Sequence, residues 1–310
     1  MDLKFLFQFG SEGSKKGQFR NPSGICFGPN GLLYVCDRNN HRVQVFDQDG
    51  NFKFSFGSEG SEEGQINYPN RLCFGPNGLL YVCDTYNHRV QIFDQDGNFH
   101  SSFGSKGSKK GQFQRPRELC FGPNDLLYVC DTCNHRIQVF DQYGNFKFTF
   151  GSEGKENGQF RFPHRLYFGS NGLLYVSDPS NNRIQVFDQN GKYYFSFDPS
   201  ESKEGQFQYP RGMCFGPNDL LYVSDLMNQR IQIFNQHGKY HSSFGSYGKK
   251  EGQFNNPIGM CFAPNGLLYV CDSCNHRIQV FQHRKHQSLY QILAQKLNQK
   301  KNNRKKIKFY

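Results

Sequence analysis

The chain has 310 residues, is only 36 % hydrophobic, and carries a formal charge of +11 from 37 Lys and Arg against 26 Asp and Glu. No apolar run approaches the roughly 18 residues of a membrane-spanning helix, and the opening MDLKFLFQFG lacks the basic start, long apolar stretch and small-residue cleavage site of a secretory leader. A soluble, cytoplasmic protein is therefore expected, and its charge is unevenly placed: nine basic residues and no acid fall in residues 282–310, leaving +2 for the rest.

In chain order, LKFLFQFG (3–10) alternates as a strand does, and from Gly17 a unit begins that recurs without insertion. Asp37, Asp84, Asp131, Asp178, Asp225 and Asp272 mark six copies spaced by 47 residues. Within the first copy, turn residues separate Gly24 to Phe27, LLYVCD (32–37), RVQVF (42–46) and FKFSF (52–56), which predicts a four-stranded antiparallel meander. The middle strands are apolar on successive residues, as strands covered on both faces are. Six such sheets around an axis make an all-β, six-bladed propeller over residues 1–282. The segment 3–10 aligns with 50–57, so it is a fourth strand without a first three, and the last copy stops after its third strand at Phe281. The N-terminal strand is expected to complete the sixth blade and remove the free edge. Residues 283–310 read as a basic tail. Leu289, Ile292, Leu293 and Leu297 give 286–298 an amphipathic helical spacing. Lys300, Lys301, Arg304, Lys305, Lys306 and Lys308 follow, suited to nucleic acid, an anionic surface or nuclear import.

The repeat also screens apparent chemistry. Asp37 with Asn40, His41 and Arg42 resembles a catalytic pair, but six near-copies at symmetric positions argue for turn capping and hydrogen bonding. His41, His88, His135 and His276 become Asn182 and Gln229 in copies four and five, which fits hydrogen bonding better than metal ligation. Most of the eleven cysteines follow two repeat registers and are replaced there by Tyr167, Ser177 and Ser224, so they read as small buried thiols rather than disulfides. Cys130-x-x-Cys133 and Cys271-x-x-Cys274 fall in copies three and six, on opposite sides of a six-fold ring, too far apart to share one zinc. Glu118 is the one acid that breaks the pattern at an inner strand, and a single carboxylate is too few for a catalytic metal site. No metal, cofactor or catalytic residue is expected.

GPNGLLYVCDRNNHRVQVFDQDG and its copies resemble the NHL repeat, with its Tyr-Val-x-Asp strand end, Asn-His-Arg turn and Phe-Asp-x-x-Gly close. The resemblance covers residues 1–282 and implies a six-bladed propeller. Variation gathers on the face that carries the repeat proline: Arg20, Tyr68, Arg71, Arg115, Arg117, Arg161, Phe162, His164, Arg165, Tyr209 and Arg211 flank the prolines, and Arg38 and Tyr86 come from the other loop of that face. Arginine and aromatic residues are favoured at protein hot spots, so the leading expectation is a non-catalytic module that presents this face to a protein. The resemblance adds substrate recognition for a ubiquitin ligase, whose RING this chain lacks. It also implies the alternative of an RNA-binding propeller, since guanidinium planes and rings stack on splayed bases. A metal-dependent propeller hydrolase or lyase stands third.

Overall fold

The computed structural model describes residues 3–198, 205–216 and 219–283. Six four-stranded antiparallel sheets follow the repeat. The first blade is β2 to β5 (Pro22–Phe27, Leu33–Asp37, Arg42–Phe46 and Phe52–Phe56), close to the boundaries that the turn residues predict. The inner strands of the later blades are β6 (Pro69–Phe74), β10 (Pro116–Phe121), β14 (Arg165–Phe168), β18 (Pro210–Phe215) and β22 (Pro257–Phe262). The expected helix at 286–298 and the basic tail lie outside the described residues. Among the described residues no helix is long and apolar enough to cross a membrane.

The core lies between blades. Tyr34, Cys36, Val43 and Val45 of blade one interlock with Leu72, Leu80 and Val82 of blade two, and the same set recurs around the ring. Each second strand is buried along its length while the outer strand alternates between half-buried and exposed. Its buried tyrosine spends its hydroxyl on the next blade: Tyr34 donates to the Gln95 carbonyl at 2.7 Å and Tyr269 to that of Gln48 at 2.7 Å.

That last bond joins blade six to blade one, beside the closing seam within the sixth sheet. There β1 (Leu3–Phe9) pairs antiparallel with β24 (Arg277–His283), from Leu3 opposite His283 to Phe9 opposite Ile278. The sixth sheet is thereby completed by the N-terminal strand, as the missing fourth strand requires.

Each repeat Asp is fully buried and saturated. Asp37 accepts from the backbone N–H of Arg20 at 2.8 Å, Arg42 Nε at 2.8 Å and Gln44 Nε2 at 3.0 Å. Its carboxylate ties the incoming loop to the blade rather than capping the short turn that follows it, where no side-chain cap bond forms. The Asp, His and Arg of the turn are structural fasteners.

Candidate docking face and axial cluster

The residue before each repeat proline, Asn21, Tyr68, Arg115, Phe162, Tyr209 or Asn256, sits in the left-handed region at φ 54° to 64°. Side chains other than glycine rarely adopt it, so the surroundings must hold it there. The holder is the turn residue of the preceding blade. Nδ1 of His41, His88 and His135 accepts the backbone N–H of Tyr68, Arg115 and Phe162 at 3.4, 3.2 and 3.2 Å. Where histidine is replaced, Asn182 Oδ1 accepts from Tyr209 at 2.9 Å and Gln229 Oε1 from Asn256 at 2.6 Å. His276 accepts from Asn21 at 3.2 Å, so the same clasp joins blade six to blade one.

These clasps fix an array of rings and guanidinium groups on the proline face. Arg115 lies over Tyr86 at 5.0 Å, Tyr86 meets Tyr68 edge-on at 4.6 Å, and Arg38 lies over Tyr68 at 5.6 Å. Arg20, Arg115, Arg161, Tyr86 and Phe162 are exposed, whereas Arg38, Tyr68, Arg117, Tyr209 and Arg211 are half-buried. Met227 and Tyr247 are also exposed there. Sequence reasoning passed over both. The signal for Met227 was its register, which holds Tyr86 in copy two.

Arg71, His164 and Arg165 are a correction to the sequence expectation, because they are buried in the axis instead of lining the face. In blade two the inner strand bulges beside the proline, as the register shift between Pro69 and Leu72 shows, and this turns Arg71 inward; in blade four the strand begins without a bulge at Arg165, opposite Ser177. Glu118, fully buried, is their counter-charge. Arg71 Nε stands 3.0 Å from Glu118 Oε1, and Arg165 Nη1 donates to Glu118 Oε2. Arg165 Nη2 also reaches across the axis to the Ser23 carbonyl at 3.4 Å, and Arg71 Nη1 to that of Ile25 at 3.1 Å. Blades two, three and four thus fill the axis with an Arg–Glu–Arg triad. Blades five, six and one hold glycine in that register. A Cβ at Gly212 or Gly259 would collide with the carbonyl of Ile258 or Ser23, so glycine is what lets these inner strands approach.

On the proline side of the triad lie Arg38, Arg117, His164 and Arg211. Arg211 Nε donates to His164 Nε2 at 2.9 Å. Burial first, then the neighbouring Arg211, Arg117 and Arg165, holds the His164 imidazole well below its ordinary pKa, so it is neutral. With Nε2 accepting, the proton resides on Nδ1. Burial and then Arg117, Arg38 and Arg165 bring Arg211 down to about 9, still protonated at neutral pH.

On the far side of the triad the axis opens into a cavity of about 370 Å³ lined by Cys26, Cys73, Cys120, Cys261, Tyr167 and Arg71. These four cysteines are half-buried, packed against the blade cores at the edge of the cavity, whereas Cys36, Cys83, Cys130 and Cys271 are buried. Burial pushes the Cys26 thiol up to about 12 despite Arg71, so it stays protonated. All eleven cysteines are free. Among the described residues no three His, Cys, Asp or Glu side chains gather as a metal-ligand set.

Comparison with known proteins agrees with this construction. A 46-residue segment is 50 % identical to Protein lin-41 of Caenorhabditis elegans, covering 15 % of this chain and 4 % of that protein. A 42-residue segment is 52 % identical to RING finger protein nhl-1 of the same organism, covering 14 % and 4 %. The matched segments are thus about one repeat long and span a small fraction of those relatives. Virginiamycin B lyase from Staphylococcus aureus shares the fold at TM-score 0.63 and 15 % identity, over 91 % of this chain and all of that one. The NHL repeat matches residues 19–46, 67–93, 113–140, 160–187, 207–234 and 254–281, and on these six repeats, more than half of its length, the chain belongs to the NHL-repeat family.

Proposed function

We propose that the propeller is a non-catalytic docking module whose proline face receives a protein partner. The observation that carries this reading is the exposed set of Tyr86, Phe162, Met227 and Tyr247 beside Arg115 and Arg161, on loops held by the His, Asn and Gln clasps. Aromatic and Arg anchors on a preorganised surface lose little entropy on binding. The name RING finger protein nhl-1 supports a finer version, in which the face recognises substrates for a ubiquitin ligase whose catalytic part lies outside residues 1–310. The likeness to a lyase is one of fold and supplies no reaction.

A photo-crosslinking residue at Met227 or Tyr247, compared with one at Tyr143 on the opposite turn, tests the reading. Proteins crosslinked from the proline face should be absent from the Tyr143 sample and should fall at least ten-fold in the Tyr86→Ala, Phe162→Ala double variant. Identical sets from both faces would refute it. The ladder of Arg38, Tyr68, Tyr86 and Arg115 favours a second reading, single-stranded RNA stacked on rings and guanidinium planes. RNA recovered in the same crosslinks, with an affinity that falls steeply with salt, would select it.

A further inference from the structure

We propose that the axial mouth on the proline face is a binding site for one phosphate group, formed by Arg38, Arg117 and Arg211 with the Nδ1–H of His164, and that it takes a phosphorylated side chain of a partner protein. The site itself stands on the geometry below. Only the source of the phosphate rests on the protein-docking reading.

Three observations carry it. First, the mouth holds buried donors without acceptors: Arg38 Nε, Arg117 Nε and His164 Nδ1 have no hydrogen-bond partner among the described residues, and His164 is 1 % exposed. Leaving such donors unmet costs free energy that an oxyanion would recover. Second, the charges repel one another with no acid to answer them. Among the described residues none of the three arginines forms an ion pair, and Glu118 is already shared by Arg71 and Arg165. Burial and the other guanidinium groups lower both Arg38 and Arg211. Third, the fold does not require these residues. The register of Arg117 and Arg211 is filled by Ser23, Asn70 and Ile258 in other blades, and that of Arg38 by Thr85, Thr132 and Leu226.

The arrangement also selects the ligand. The three arginines come from blades one, three and five, every second blade of the ring, so they approach the axis from three sides. That suits a tetrahedral oxyanion with several acceptor oxygens, and a phosphate of nearly two negative charges answers three guanidinium groups better than a carboxylate. Beyond the mouth the exposed Arg20, Arg115 and Arg161 stand singly on the loops of three blades. The rim loops 11–17, 58–64, 105–111, 152–158 and 246–252 carry eight lysines against seven glutamates, which offers little to an extended polyanion. A compact phosphate on a protein is therefore favoured over a nucleic-acid backbone.

The test uses the purified full chain. Inorganic phosphate should raise its melting temperature saturably above that in chloride of equal ionic strength, and calorimetric titration should give one site. Arg117→Gln and Arg211→Gln should each weaken phosphate binding at least ten-fold while melting in chloride at or above the wild-type temperature, because they relieve repulsion. Lys192→Gln, on the opposite side of the ring, should bind as wild type. A short phosphoserine peptide should displace phosphate, and its unphosphorylated twin should not. No phosphate-specific shift in the wild type, a measurement that needs no variant to fold, overturns the site, as does undiminished binding in both variants. Displacement by a single-stranded oligonucleotide but not by the phosphopeptide overturns the protein source. Displacement by neither does so too, leaving a site for free phosphate. None of these outcomes depends on Tyr86 or Phe162, so failure here is distinct from failure of the docking reading.

Discussion

The smallest unit of this architecture is one imidazole nitrogen. His88 accepts the Arg115 amide, holds that residue left-handed, and so fixes the exposed guanidinium over Tyr86. Because Asn182 and Gln229 do the same work in other blades, the requirement at this position is an acceptor of the right reach, not a titratable group. His88→Asn should therefore cost less than about 0.5 kcal/mol, whereas His88→Ala, which leaves the Arg115 amide unpaired, should cost about 1–2 kcal/mol. Urea denaturation of the two variants measures the difference. Equal losses would mean that the ring of His88, and not its acceptor nitrogen, is what matters.

At the scale of the element, the six inner strands share a sequence template and divide the axis unequally. Three place glycine where their neighbours crowd, and three place Arg71, Glu118 and Arg165. Removing the shared carboxylate strands two buried cations, so Glu118→Gln should destabilise by about 3–5 kcal/mol. The triple change Arg71→Met, Glu118→Leu, Arg165→Met removes charge and counter-charge together, and should lie within about 1 kcal/mol of wild type or above it. Denaturant midpoints for both decide this, and a triple variant as weak as Glu118→Gln would show that the triad holds the inner strands by more than charge balance. The same strands show what could be read beforehand. Blade number, strand boundaries and closure follow from a period and from turn residues, which are local. Glu118 was visible as the acid that broke the pattern, and Arg71 and Arg165 stand one period to either side of it. What stayed hidden was direction: whether that register rises onto the face or turns into the axis depends on how the inner strand enters beside the proline, with a bulge in blades two and three and without one in blade four, which the repeat sequence leaves open. That Cys26, Cys73, Cys120 and Cys261 border a cavity stayed hidden for a related reason. A small apolar residue on an inner strand is equally at home against a core or along an axial cavity.

For the whole molecule, the seam between β1 and β24 is what makes a ring of an open stack. Phe9 packs on Phe46 of blade one at 5.1 Å and Phe5 on Phe281 of its own sheet at 6.1 Å, while Leu3 and Phe5 also border the core shared with blade five, so the strand contributes apolar contacts to both flanking blades as well as a ladder. Deleting residues 1–9 should lower stability by at least about 4 kcal/mol, a fall of at least about 6 °C in melting temperature for a chain of this size. It should also expose β24 as an edge that promotes association. A peptide of residues 1–10 added in trans should restore a monomer on size exclusion. A truncated chain that stays monomeric and melts as the intact one would show that the ring holds without its closing strand.

The pairing of Leu3 with His283 also sets an order of events during synthesis. Within the propeller, the first strand made is the one whose partner is made last. At 5–20 residues per second, roughly 15–55 s pass between the two leaving the ribosome. During that interval LKFLFQF has no native neighbour, and the five blades already complete must wait with their ends apart. The nascent chain carries an unpaired apolar strand throughout, a standing target for chaperones and for the same strand of another copy.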